Sequence, residues 1–265
     1  MHDVPKFHDR ATMALLHIDE PIMSLVLNDP DRRNALSNSV FDDLERCLDA
    51  VETAIASRSC HVLRIGGEGP AFCAGFDLDA MADDGLLPSF LERLGSLCRR
   101  LRRLDAVVVA EVHGPAVAGG CAIVSACDIV HAGPDARFGY PVHRLGISPA
   151  VSIPTLKPAV ESGGARFMML GGQLVDAATA RRLGLAHEVH ESREALAEAV
   201  DALCARLGAM DATTLRETKR FQNELDGTAT DDAFTATLNA SVACGRSDEA
   251  ATMIAATRDA MRARD

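Results

Sequence analysis

The sequence predicts an α/β layered core followed by an all-helical C-terminal region. Strand-like and helix-like apolar patterns alternate from about residue 13 to about residue 190, the signature of a sheet covered by helices. From Ser192 onward only helical periodicity remains. A chain of 265 residues, 48% hydrophobic and 25% charged, is long enough for one large core or for a core plus a smaller appendage. LGLAHEVHES (183–192) reads as the junction. Residues 1–191 are then the core, and 192–265 a helical region serving as a lid, an oligomerisation arm or both.

In order, MALLHID (13–19) and IMSLVLN (22–28) are β-like runs separated at Glu20-Pro21, and they read as an antiparallel pair. From Ser39 to about Ala56, Val40, Leu44, Cys47, Val51 and Ile55 recur at helical spacing, with acids near the start, where the helix dipole favours them. HVLRIGG is a short strand, and Phe90, Leu94, Leu97 and Leu101 mark a second helix. AVVVAEV (106–112) reads as a buried strand, followed by a glycine-rich turn, a helix near 119–127 and the strand DIVHA. FGYPVHRLG (138–146) reads as a strand that ends in a pocket. The tail then carries helices at 193–207, with Leu196, Val200, Leu203 and Leu207 on one face, at 212–226 before Gly227, and two more to the end.

The net charge of −11 and the absence of an isolated basic cluster argue against nucleic acid as a partner. With no Trp and one Tyr, the chain also lacks base-stacking platforms. No apolar run approaches the roughly 20 residues that cross a bilayer, and the polar MHDVPKFHDR start is not a secretion signal, so no membrane association and a cytoplasmic location are expected. The eight cysteines fall singly in apolar stretches and read as reduced core residues. No His/Cys/carboxylate set has ligand spacing, so no metal site is expected.

Chemistry is concentrated in three loops. NDPDRRNALS (28–37) places Arg32 and Arg33 before a helix start, either as a solvated turn or as a phosphate grip, with peptide groups around Ala35 able to meet an adenine. In GEGPAFCAGFDLDAM (67–81), Ala74 and Gly75 let a ligand approach the backbone, and the glycine's freedom can turn the Phe76 N–H into a cavity. Asp77 reads as the cap of the next helix. In HGPAVAGGCAIVSACDI (113–129), a glycine pair between strand and helix sets the Gly119 N–H at the positive end of a helix dipole. Neither glycine loop has dinucleotide or Walker spacing.

Taken in order, NDPDRRNALS, AFCAGFDL, HGPAVAGGCAIVSACDI, ARFGYPVHRLGISPA and GGQLVDAATARRLGLAHEV resemble the crotonase superfamily, the enoyl-CoA hydratase/isomerase family, over about residues 11–191. The resemblance implies a spiral core of ββα units and a helical C-terminal part that packs homotrimers, often paired into hexamers. It implies acyl-CoA as the small-molecule substrate, with coenzyme A part of that substrate and no separate cofactor. By position, the backbone around Arg32, Arg33 and Ala35 would meet the adenine, and Ala74 and Leu78 would line the pantetheine path. The N–H groups of Phe76 and Gly119 would hold the thioester oxygen as an oxyanion hole.

The chain departs from the family's pattern at three positions where relatives carry acids, which here are Ala122, Val142 and Ala150. An ordinary two-glutamate hydration is therefore not expected. Three readings stay open: proton chemistry from a displaced Tyr140, His143 or Ser148; decarboxylation of a malonyl-type CoA ester; or acyl-CoA binding without turnover. Strand alternation through 138–146 would put Tyr140, Val142 and Arg144 on one face and His143 on the other, with Arg144 pairing either a substrate carboxylate or a core acid. Cys121 reads as a buried apolar thiol rather than a nucleophile.

Overall fold

A computed structural model describes residues 12–81 and 86–262. The opening hairpin is β1 (Ala14–Asp19) against β2 (Ile22–Leu27), antiparallel as expected. Helix α1 (Asn38–Ala56) follows, capped by the Ser37 side chain accepting the Val40 N–H, and leads into β3 (Val62–Gly67). A short α2 (Leu78–Met81) precedes α3 (Leu86–Arg103) and β4 (Val107–Val112). Then come β5 (Ala116–Val117), α4 (Gly119–Ala126), β6 (Ile129–Ala132) and β7 (Arg137–Gly139). Two 3-10 turns, His143–Leu145 and Pro149–Ser152, lead to α5 (Ile153–Ala159) and α6 (Ser162–Gly171). Strand β8 (Val175–Asp176), α7 (Ala177–Leu183) and β9 (Glu188–Val189) complete the mixed part. Helices α8 (Arg193–Gly208), α9 (Ala212–Asp226), α10 (Asp232–Gly245) and α11 (Asp248–Arg262) form the C-terminal region.

The main sheet runs β1-β2-β3-β4-β6-β9, parallel from β2 onward, and a small second sheet runs β5-β7-β8. Residues two apart on a strand share a face, and β4 shows the consequence. Val108, Ala110 and Val112 enter the main core, whereas Val107 and Val109 turn the other way to pack with Leu196, Val200, Leu203 and Leu207 of α8. A parallel sheet buried on both faces reads as a near-continuous apolar run, which is why AVVVAEV lacks polar alternation.

Buried polar side chains fix the connections. Lys219 of α9, 7% exposed, donates to the carbonyls of Ala106 (2.9 Å) and Leu101 (3.3 Å) and pairs with Asp128 at 2.7 Å. The same Asp128 oxygen accepts the Val108 N–H. Ser241 of α10 accepts the Val151 N–H and donates to the Ser148 carbonyl, fastening the second 3-10 turn.

One element differs from expectation. The segment 138–146 is not a continuous strand: β7 ends at Gly139, Pro141 follows, and Val142 has φ −93° and ψ −16° before the His143–Leu145 turn. Pro141 has no N–H for a sheet ladder. Strand alternation therefore does not decide where Tyr140, Val142, His143 and Arg144 point.

Candidate active site

The site is built by the three loops coming together. Arg33 and Asn34 both have φ of 56°, a left-handed turn after β2. Asn34 tolerates it and is fully buried; its amide nitrogen donates to the carbonyls of Glu68, Ala71 and Phe72 at 2.9, 2.8 and 3.1 Å, and its oxygen accepts the Asp29 N–H. One side chain thus bolts the first loop to the second. Backbone bonds extend the seam, from Ala74 N–H to Arg33 O, Leu36 N–H to Gly75 O, and Asp77 N–H to Leu36 O. The Phe76 ring packs with Phe41 and Phe90 at centroid distances of 6.3 and 5.6 Å, which anchors the residue in the loop. Asp77 accepts the N–H groups of Asp79 and Ala80, the capping role expected of it, and also pairs with Arg32.

The third loop closes against the second. Gly75 has φ +92°, and a Cβ there would lie 3.0 Å from the Val117 carbonyl oxygen and 3.6 Å from the Gly119 nitrogen, so only glycine allows this approach. Ala118 is held at φ 50° and ψ −106°, a strained conformation for a non-glycine residue at the cap of α4. The glycine pair divides its work. A Cβ at Gly120 would meet the Cys73 carbonyl oxygen at 2.4 Å, whereas one at Gly119 would meet a movable Leu36 methyl at 2.8 Å. Gly120 is there for packing. Gly119 opens α4, where an N–H has no partner inside the helix. Among the described residues neither the Phe76 nor the Gly119 N–H has a protein acceptor.

Both residues border a cavity of about 190 Å3, whose wall also includes Ala74, Leu78, Leu94, Val142 and Val151. Its polar side chains are Tyr140, Arg144, Ser148 and, from the last helix, Thr257; among the described residues the wall holds no Asp, Glu or His. Tyr140 contributes its ring, but its hydroxyl is sealed in the core, close to Cys121, Ser125 and Ser152 without a hydrogen bond of ordinary geometry. Burial, followed by Cys121, raises its pKa well above the usual phenol value. Burial likewise pushes the Cys121 thiol up to about 12, so it stays a thiol. Arg144 is exposed and has no ion-pair partner among the described residues, so the core acid that could have claimed it is absent there.

The remaining candidates lie outside this wall. His143 is exposed and borders a neighbouring groove with Ala150 and Met169. Ala122 is fully buried on α4, one turn beyond Gly119. Arg32 is engaged with Asp77, Arg33 is exposed, and the half-buried Ala35 already donates its N–H to Arg32 O. Asn34 is the residue sequence reading passed over. Its only local signal is an asparagine in a charged turn, after Arg32 and Arg33, and the carbonyls it holds lie 34 to 38 residues away. Against the expectation of no metal-ligating set, His131, Glu188 and His190 also come together, their ligand atoms within 4.8 Å of one another.

The enoyl-CoA hydratase/isomerase family model matches residues 17–254. The chain belongs to that family. A family relative from Thermus thermophilus is 36% identical over 78% of this chain and 83% of its own length. The 2,3-dehydroadipyl-CoA hydratase of Escherichia coli is 35% identical over 64% of this chain and 66% of its own. Among solved structures, an enoyl-CoA hydratase/isomerase from Xanthobacter autotrophicus superposes with a TM-score of 0.82 at 27% identity, covering 96% of each chain. The crotonase-type α/β fold with its helical C-terminal region is thus shared with solved family members, and acyl-CoA is the ligand class that fits the family.

Proposed function

We propose that this family member holds an acyl-CoA thioester with its carbonyl oxygen between the Phe76 and Gly119 N–H groups, and stabilises an enolate that it does not itself create by proton abstraction. One observation carries the reading: among the described residues the cavity wall offers two unpartnered amides but no carboxylate or imidazole. A general base must come within hydrogen-bond reach of the proton it removes, and the sealed Tyr140 hydroxyl and the outlying His143 are not placed for it. Val142 and Ala122 cannot transfer a proton.

The reaction that needs no such base is decarboxylation of a malonyl-type CoA ester. The bond from Cα to the carboxylate breaks, carbon dioxide leaves, and the electron pair moves to the thioester oxygen held by the two N–H groups. A proton from water then completes the product thioester. The apolar wall beside Val142 and Val151 disfavours the charged carboxylate and so favours its loss. Removing one oxyanion donor costs about a hundredfold to a thousandfold in such sites. Arg144, the exposed cation bordering the cavity, can attract an acyl group that carries a carboxylate, while the apolar lining disfavours that charge once it is inside.

The test is turnover and binding of a panel of enoyl-, 3-hydroxyacyl- and malonyl-type CoA esters, followed by mass spectrometry. Carbon dioxide loss from the malonyl-type ester alone is the expected result. Hydration of an enoyl ester at a rate typical of an enzyme would overturn it. Tight binding with no turnover of any ester would leave the second reading the same wall supports, an acyl-CoA binder.

A further inference from the structure

Away from the acyl cavity, the described residues contain one set of metal-ligating side chains, at the far edge of the main sheet. His131 on β6 and Glu188 on β9 are register partners in a parallel pair. His190 follows β9 two residues after Glu188, and its N–H donates to the Ala132 carbonyl at 2.9 Å. Register partners share a face, and the residue two further on returns to it. Three side chains therefore project together from backbone whose relative position is fixed by hydrogen bonds.

The atoms are also spaced for ligation. His131 Nδ1 and His190 Nε2 share a hydrogen bond at 3.1 Å, which ligation of one ion by both rings would replace, and the ring centroids are 5.1 Å apart. With zinc–nitrogen bonds of 2.0–2.1 Å, that separation subtends about 98° at an ion, between the octahedral and tetrahedral values. His131 is 6% exposed and preorganised, whereas Glu188 is exposed, has no ion-pair partner among the described residues, and is free to swing in. Two imidazoles and one carboxylate suit a borderline divalent ion, not Mg2+ or Ca2+, which take oxygen ligands.

We propose that His131, Glu188 and His190 bind one divalent transition-metal ion of the Zn2+ class, with solvent in the remaining coordination position. The ion cross-links the two-residue edge strand β9 to β6, at the point where the chain turns into α8. It shares no residue with the acyl cavity, so its fate is independent of the reaction assigned there. Two features oppose it: the hydrogen bond between the two imidazoles has to be given up, and the charge of Arg206 on α8 reaches His131. The Arg206 charge supplies a variant that should act in the reverse direction.

The experiment is equilibrium dialysis of the full chain against Zn2+ alone, with metal counted by mass spectrometry, and the visible spectrum of the Co2+ form. One ion per chain is expected, with micromolar affinity and intense Co2+ bands of a low-coordinate nitrogen/oxygen site. His190→Ala and Glu188→Gln should each weaken binding about tenfold to a hundredfold or more, whereas Arg206→Gln should tighten it. His17→Ala, at an exposed histidine of β1, should change nothing. Glu188→Gln replaces an exposed side chain and leaves the fold intact, so its result stands even where His190→Ala disturbs the strand. Absence of saturable Zn2+ and Co2+ binding below millimolar concentration overturns the site, as does binding that both ligand substitutions leave unchanged.

Discussion

At the scale of single residues, the loops around the cavity are tied together by a side chain that does not line it. Asn34 shares two amide hydrogens among three carbonyls of the glycine loop and accepts a fourth backbone group in return. Asn34→Ala strips those groups of their partner in a site with no water access and puts a less tolerant residue at φ 56°. A loss of about 2–4 kcal/mol is expected, read as a lower urea midpoint, together with weaker acyl-CoA binding as the Phe76 amide loses its support. Stability and binding both unchanged would show that the seam is held by the backbone bonds alone. None of this was visible in the sequence, because the worth of an asparagine is set by carbonyls more than thirty residues away. Gly75, Phe76 and Gly119 were visible, because their requirement is local: a positive φ and a helix start announce themselves in residue type and order.

At the scale of elements, legibility followed length. The six-residue strands β1 to β4 and the long helices α1, α3, α8 and α9 were readable from periodicity, since each buries one face against a continuous core. The two- and three-residue strands β5, β7 and β8 carry too few residues for a period, and Pro154, Pro158 and the Gly163-Gly164 pair hide α5 and α6. The 3-10 turn after Pro141 broke the strand expected there, and with it the alternation argument for His143. Helix α9 illustrates how a readable element is fixed by an unreadable contact. Its amphipathic spacing says that it packs, but Lys219 says where, through the Leu101 carbonyl at the end of α3, the Ala106 carbonyl just before β4 and the Asp128 carboxylate. Lys219→Met should cost about 3 kcal/mol, because it leaves a largely buried carboxylate without its partner. The double change with Asp128→Asn should recover part of that loss. A double variant no more stable than the single one would sink the ion-pair account and assign the cost to lost packing or to the carbonyl bonds.

At the scale of the whole molecule, the apolar surface is unevenly distributed. Ile153, Phe167, Leu170 and Leu174 are 37–69% exposed along α5, α6 and the turn that follows, and beside them lies a groove of about 400 Å3 lined by Ala150, Ile153, Met169 and Leu170. Large exposed apolar side chains gathered on neighbouring elements, beside a groove that Lys157 and Arg166 also line, are a common mark of an association surface. We expect a homotrimer or hexamer that covers it, and Leu170→Glu should shift the mass in light scattering toward the 28.1 kDa of one chain. A wild-type protein that is already monomeric would overturn the expectation. The same groove shares Ser148 and Pro149 with the wall of the acyl cavity. A neighbour seated there would press on the turn that carries Val151 into that wall, which would link assembly to ligand binding. Acyl-CoA should therefore bind the Leu170→Glu variant more weakly than the wild type, although position 170 lies outside the cavity. Equal affinity in a variant shown to be monomeric would mean that each chain completes its own site, with Thr257 of the last helix as its final wall.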